Sequence, residues 1–154
     1  MPKLGYSYNK KIDEDRTVKA TGKELRISHK DSVEICREIK GKRLGYAKQF
    51  LEEVIDIKRA VPYRRFNKGI AHRRGLSNAF AGAYPKKAAT YILKLLKDSE
   101  ANAEFKGLDI ERLFIKHIQA KRGRVIKGFI PRAMGRATPH NTTTTHIEVF
   151  LDER

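Results

Sequence analysis

Residues 110–151 read IERLFIKHIQA, then KRGRVIKGFIPRAMGRATPHNTTTT, then HIEVFL: two alternating apolar segments separated by 25 residues that contain no acid and no continuing hydrophobic face. Side chains of a strand point to opposite faces in turn. Leu113 and Ile115 therefore share one face, as do Ile147, Val149 and Leu151. The alternation predicts strands over Ile110 to Ala120 and His146 to Leu151, paired antiparallel. Residues 116–146 then read as a hairpin that outgrows its sheet, with arms of about 14 residues reaching roughly 45 Å at ~3.4 Å per residue. A bare two-stranded ribbon is marginal in water, so its order is expected to come from a partner. Gly123, Gly128, Pro131 and Gly135 supply bends toward the tip, and Thr142 to Thr145 have strand-like β-branching without an apolar face.

Upstream, Thr17 to Ser28 reads as a strand interrupted near Gly22. Ser28 with Asp31 has helix-capping spacing, and Val33, Cys36 and Ile39 recur at helical intervals until Gly41. Leu44, Ala47, Leu51, Val54 and Lys58 predict a second helix that runs to Pro62. Pro85 suits a first helical position, and Ala88, Ala89, Ile92, Leu93, Leu96, Ser99 and Ala103 form the stripe of a third helix ended by Gly107. The fold class is thus α+β: three helices on a small antiparallel sheet with a long protruding β-hairpin. The domain organisation is a basic N-terminal extension, residues 1–16, then a single globular domain, residues 17–154, carrying a basic insertion at 60–84 and the extended hairpin at 116–146.

The 154 residues carry 34 Lys and Arg against 18 Asp and Glu, a net charge of +16, and the excess is concentrated. No acid lies between Asp56 and Asp98, where 11 cations fall, or between Glu111 and Glu148, where 8 fall. Free surfaces interleave both signs, so unbalanced blocks of this length point to a polyanionic partner. In the first block Lys58, Arg59, Tyr63, Arg64, Arg65, Lys68, His72, Arg73, Arg74, Lys86 and Lys87 are the candidate RNA-binding residues. In the second they are Lys121, Arg122, Arg124, Lys127, Arg132 and Arg136. Guanidinium groups hold phosphates in bidentate fashion while interleaved aromatics stack on unpaired bases. Residues 60–84 have no core-forming period, and loops this long in a small domain usually bind something.

Other chemistry is sparse. Cys36 is the one cysteine, on an apolar stripe, and reads as core filler in a reducing compartment. The five histidines lack metal-ligand spacing, and no metal or other cofactor is expected. No apolar run reaches the ~20 residues of a membrane span, and no signal peptide opens the chain, so neither membrane insertion nor secretion is expected. His117 and His146 stand where they can face each other across the strand pair, an arrangement suggesting acid–base cleavage of RNA. No acidic orienter lies between Glu111 and Glu148, and cross-strand polar packing accounts for them more simply. Gly123 to Gly128 lacks the order of a phosphate-cradling loop.

The run Pro85-Lys86-Lys87-Ala88-Ala89, the pairings Ala101-Asn102-Ala103-Glu104 and Gly107-Leu108-Asp109, and Pro131-Arg132-Ala133-Met134-Gly135-Arg136-Ala137 with Thr145-His146-Ile147 together resemble the universal family of large-subunit ribosomal protein twenty-two. The resemblance spans roughly residues 18 to 151 in collinear order. Residues 1–16 and 60–84 look like its archaeal and eukaryotic branch, while the His140 and threonines of the returning arm differ from the Arg- and Lys-rich bacterial pattern. It implies a cytoplasmic, non-enzymatic constituent of the large ribosomal subunit that binds its RNA, supports assembly and touches neighbouring subunit proteins, with no homo-oligomer. It also implies that the tip, Gly128, Phe129, Ile130, Pro131, Arg132, Ala133, Met134, Gly135 and Arg136, lines the exit tunnel and meets the nascent polypeptide transiently. The alternatives are an RNA-processing enzyme using the histidine pair and a free regulatory RNA-binding module.

Overall fold

The computed structural model describes residues 5–8, 12–76 and 78–154; of the N-terminal extension, residues 1–4 and 9–11 lie outside this set. Three strands, β1 (Thr17–Leu25), β4 (Leu113–Ile126) and β7 (Thr142–Glu153), form an antiparallel sheet in the order β1-β7-β4. Helices α1 (His29–Ile39), α2 (Leu44–Ile55) and α3 (Lys86–Phe105) lie on one side of it. α1 packs on β4, α3 on β1, and α2 against α3. Their apolar stripes meet Ile147, Val149 and Leu151 from β7 in one core that includes Ile35, Ile39, Phe50, Leu51, Ile92 and Leu96.

The alternation in 110–120 is broken twice. Ile110–Arg112 form a 3-10 turn, with Asp109 Oδ1 accepting the Glu111 N–H at 3.0 Å, so β4 starts three residues later than predicted. Lys116 is then the extra residue of a bulge: Ile115 pairs with Leu151 but His117 with Phe150. A bulge flips the phase of the pleat. Leu113, Ile115, Ile118 and Ala120 consequently face the core, while His117, Gln119 and Lys121 join Glu148 and Phe150 on the other face. His146 pairs with Lys121 and His117 with Phe150, so the facing of His117 and His146 that the sequence allowed does not occur.

Other boundaries shift for local reasons. β1 stops at Leu25, after a bulge where Glu24 takes φ 51° and donates its N–H to His146 Nδ1 at 3.0 Å. Ser28 caps α1 through a long bond from Asp31 N, 3.4 Å. α2 ends at Ile55 rather than near Pro62, because Ile57 turns to φ 63° and leaves Lys58 outside the helix. Pro85 is the residue before α3, not its first, and Leu95 takes the buried place expected of Leu93.

Residues 60–84 fold back on the domain. Val61–Pro62 (β2) pair with Gly82–Ala83 (β3), and His72 bridges Ala81. Toward the far end of the hairpin, Phe129–Pro131 (β5) pair with Ala137–Pro139 (β6). From Lys121 to Thr143 no residue is buried, and beyond β5 the turn closes through Arg132 N to Arg136 O at 2.8 Å, with Met134 at φ 59° and Gly135 at φ 67°.

Candidate nucleic-acid interface

The first turns of α1 and α3 open onto one groove of about 650 Å³, closed on its far side by the hairpin. Helix N-termini present unsatisfied N–H groups and the positive end of the peptide dipole, which favours anions. Arg26 and Lys30 stand at the α1 end, Lys86 and Lys87 at the α3 end, and Arg122 projects from β4. His140, Asn141, Thr142 and Thr143 of the returning arm add polar side chains to the lining. The one acid on the lining, Asp31, is occupied by the Tyr63 hydroxyl at 2.8 Å. Lys86 and Lys87 come from the first acid-free block and Arg122 from the second, so the tertiary fold brings the two blocks together.

His29 lies at this junction, also lining a neighbouring hollow with Arg65. Burial, then the guanidinium groups of Arg122 and Arg65, hold its pKa below the usual imidazole value, and its Nδ1 has no hydrogen-bond partner among the described residues. Like charges near a histidine disfavour its protonated form.

The structure divides the candidate residues. Arg65, Lys68, Arg73, Arg74, Lys86, Lys87, Arg122, Lys127, Arg132 and Arg136 are exposed and make no ion pair among the described residues. Others hold carboxylates, from chain neighbours just before the first acid-free block or from distant elements that the fold brings in. Lys58 pairs with Asp56 at 2.9 Å, Arg59 with Glu53 at 3.5 Å, Arg64 with Glu38 at 2.9 Å, Lys121 with Glu148 at 2.7 Å and Arg124 with Glu24 at 3.8 Å. Tyr63 is a correction: at 3% exposed it is a core residue and offers no ring face to a base. Burial, then its bond to Asp31, raise its pKa well above the usual phenol value. Exposed aromatic surface in this segment lies instead at Phe80, packed edge-on to the exposed His72 with ring centres 5.0 Å apart, while Arg73 lies over the Tyr84 ring at 5.4 Å.

Sequence reading missed Arg26, Lys30, His29 and the four arm residues. Arg26 and Lys30 lie outside both acid-free blocks, and only the two helix starts mark them. At the tip, Phe129 and Met134 are largely exposed, and Arg132 Nε donates to Thr138 Oγ1 at 3.2 Å.

His117 lies on the outer face of the sheet, away from His146 along the strands. Its Nε2 lies 3.1 Å from Glu148 Oε1, so an acidic neighbour exists after all, but ring and carboxylate are buried beneath Tyr8 and beside Phe150. Ser7 bonds the same carboxylate through its N–H and its hydroxyl. Burial alone would raise the Glu148 pKa, but bonds from Lys121, Ser7 and His117 hold it at about 2. The cluster seals the outer face of the sheet. Burial also pushes the Cys36 thiol up to about 12, consistent with inert core packing. No group of His, Cys, Asp and Glu among the described residues is arranged to hold a metal, and no described helix is long and apolar enough to cross a membrane.

An α+β fold with a cationic groove at two helix starts and an exposed basic hairpin defines a polyanion-binding protein. The sequence comparisons specify the family. Residues 20–152 match the family described as ribosomal protein L22p/L17e. Large ribosomal subunit protein uL22 of Archaeoglobus fulgidus is 51% identical over 154 residues, covering 100% of this chain and 99% of the relative. The protein of that name from Methanopyrus kandleri is 57% identical over 144 residues, 93% of this chain and 91% of its own; that from Methanosphaera stadtmanae is 52% identical over 148 residues, 96% of each. The chain belongs to this ribosomal protein family, in its archaeal branch.

Proposed function

We propose that the chain is a structural constituent of the large ribosomal subunit, in the cytoplasm, that binds ribosomal RNA and contacts neighbouring subunit proteins without performing catalysis. The observation that carries this reading is the meeting of Lys86, Lys87 and Arg122 at the two helix starts, in a member of a ribosomal protein family. The groove suits a phosphate backbone, since its charge comes from flexible cations and main-chain donors rather than from a fixed base-reading constellation. The hairpin extends the contact, with Lys127 just before a tip, Gly128 to Arg136, and Arg132 and Arg136 within it holding RNA, while the tip lines the nascent-chain passage. Phe129, Ile130, Pro131, Ala133 and Met134 give that wall an apolar but acid-free surface, and the nascent polypeptide passes it without being gripped.

Replacement of Lys86, Lys87 and Arg122 with Ala tests the reading. Binding to large-subunit RNA should weaken, and the slope of log affinity against log salt should flatten by roughly 0.7 to 0.9 for each phosphate that the variant no longer neutralises. An unchanged slope would remove the groove from the interface. If most of the cellular protein sedimented apart from large subunits, the constituent role itself would be wrong.

A further inference from the structure

α1 carries three carboxylates at positions i, i+3 and i+7, Asp31, Glu34 and Glu38, and all three engage residues 63–66. Glu34 is wholly buried. Its Oε1 accepts the N–H groups of Arg65 and Phe66 at 2.8 Å each, and its Oε2 accepts that of Arg64 at 3.2 Å. Asp31 accepts the Tyr63 hydroxyl and Glu38 the Arg64 guanidinium. Three successive main-chain donors converging on one anion form a nest. A buried carboxylate is tolerated only when satisfied in this way.

The nest lies beside the groove. Arg65 anchors through its main chain while its side chain stays exposed and lines a hollow with His29, the residue that also borders the groove. A segment as basic as residues 57–76 repels itself; Val61 and Tyr63 are fixed in the core and Phe66 and Ile70 pack against it, but the cationic Arg64 and Arg65 between them still need one shape chosen. The fold supplies that choice with an internal anion.

We propose that Glu34 is a positioning residue for RNA binding: it touches no nucleic acid, but fixes the main chain of Arg64 to Phe66 so that the Arg65 guanidinium stands ready in the hollow that adjoins the groove at His29. The inference rests on the reading of the groove as an RNA site. Its loss lets the segment open, and apparent affinity falls by the fraction of molecules that keep the competent shape.

Glu34→Gln in the full chain is the test, since it preserves shape but removes the anion and weakens the nest. Simple electrostatics predicts tighter RNA binding, because net positive charge rises by one; positioning predicts weaker. Without RNA, amide exchange at residues 64–66 should quicken at least tenfold while α3 keeps its protection. Affinity for a large-subunit RNA transcript should drop about tenfold, with the salt slope unchanged because every phosphate-binding cation is kept. In an Arg65→Ala background the same substitution should cost much less, as expected of residues that act together. Unaltered exchange at 64–66, full or increased affinity, or additivity with Arg65→Ala would each overturn the proposal. If Glu34→Gln loses α3 protection, Tyr63→Phe decides, with a smaller effect of the same sign expected and no effect overturning it. Failure of the wild-type chain to bind RNA would overturn the groove reading and this proposal's RNA step, while the exchange measurement judges the nest separately.

Discussion

Thr144 donates its hydroxyl hydrogen to the main-chain carbonyl of Arg124, 2.8 Å away, across the bulge at the base of the hairpin. That hydroxyl fills the space beside Gly123, where a Cβ would overlap it and come within 2.9 Å of His146 Nε2. Gly123→Ala should therefore destabilise the domain by about 1–3 kcal/mol through overpacking, read as a lower denaturant midpoint. Thr144→Ala in the same chain should restore part of the loss. Equal stability of Gly123→Ala and wild type would mean that the bulge accommodates the methyl group freely.

Glu148 sets an acid limit on stability. Its folded pKa of about 2 lies below the unfolded carboxylate value of about 4.3. The stabilisation is complete above the unfolded value and fades as pH falls through the folded one. On the order of 3 kcal/mol is at stake. Glu148→Gln should be less stable than wild type near neutrality, and the gap should narrow between about pH 5 and 2. Chemical denaturation across that range checks both, and a constant gap would contradict the linkage.

His29 reports on the groove. Burial, Arg122 and Arg65 depress its pKa in the free chain, and Arg26, Lys30, Lys86 and Lys87 share its surroundings with the single carboxylate of Asp31. A phosphate seated there offsets the arginines, so the pKa should rise on RNA binding. By linkage, affinity then increases as pH falls from the bound value toward the free one. Imidazole NMR titration with and without RNA measures the shift; a fall on binding would place the RNA elsewhere.

The tip should be separable from the domain. Nothing between Lys121 and Thr143 is buried, so deleting Ile130 to Gly135 should leave α3 amide protection and subunit incorporation intact while altering the pausing of particular nascent chains. Arg132→Glu should be worse than the deletion, because it sets a carboxylate among RNA phosphates. Loss of incorporation on deletion would assign the tip an anchoring role instead.

The core offers an independent check. Leu96 is fully buried between α3 and its neighbours, and Leu96→Ala should cost about 2–5 kcal/mol. Thermal and denaturant unfolding measure it, and a cost below about 1 kcal/mol would mean that the core collapses around the gap.

Period and charge along the chain determined much of this protein. Ile147, Val149 and Leu151 put one face of β7 in the core because strand periodicity is local. Ser28, Gly41, Pro85 and Gly107 marked helix ends because capping and φ preferences act within a few residues. The acid-free blocks marked a polyanion binder, and the collinear motifs from Pro85 to Ile147 pointed to the family. Tertiary structure alone decided what those local signals meant in space. The bulge at Lys116 reversed the strand's phase and put His117 on Glu148 rather than opposite His146, since one extra residue changes every later facing. Acids on α1, β1 and β7 paired with Arg64, Arg124 and Lys121, cations that look unopposed in sequence, and Tyr63 moved from base stacker to core because Asp31 lay within reach of its hydroxyl. The groove was illegible for the same reason: His29, Lys86 and Arg122 are dozens of residues apart, and only packing two helix starts against the hairpin brings their charges within range of one another.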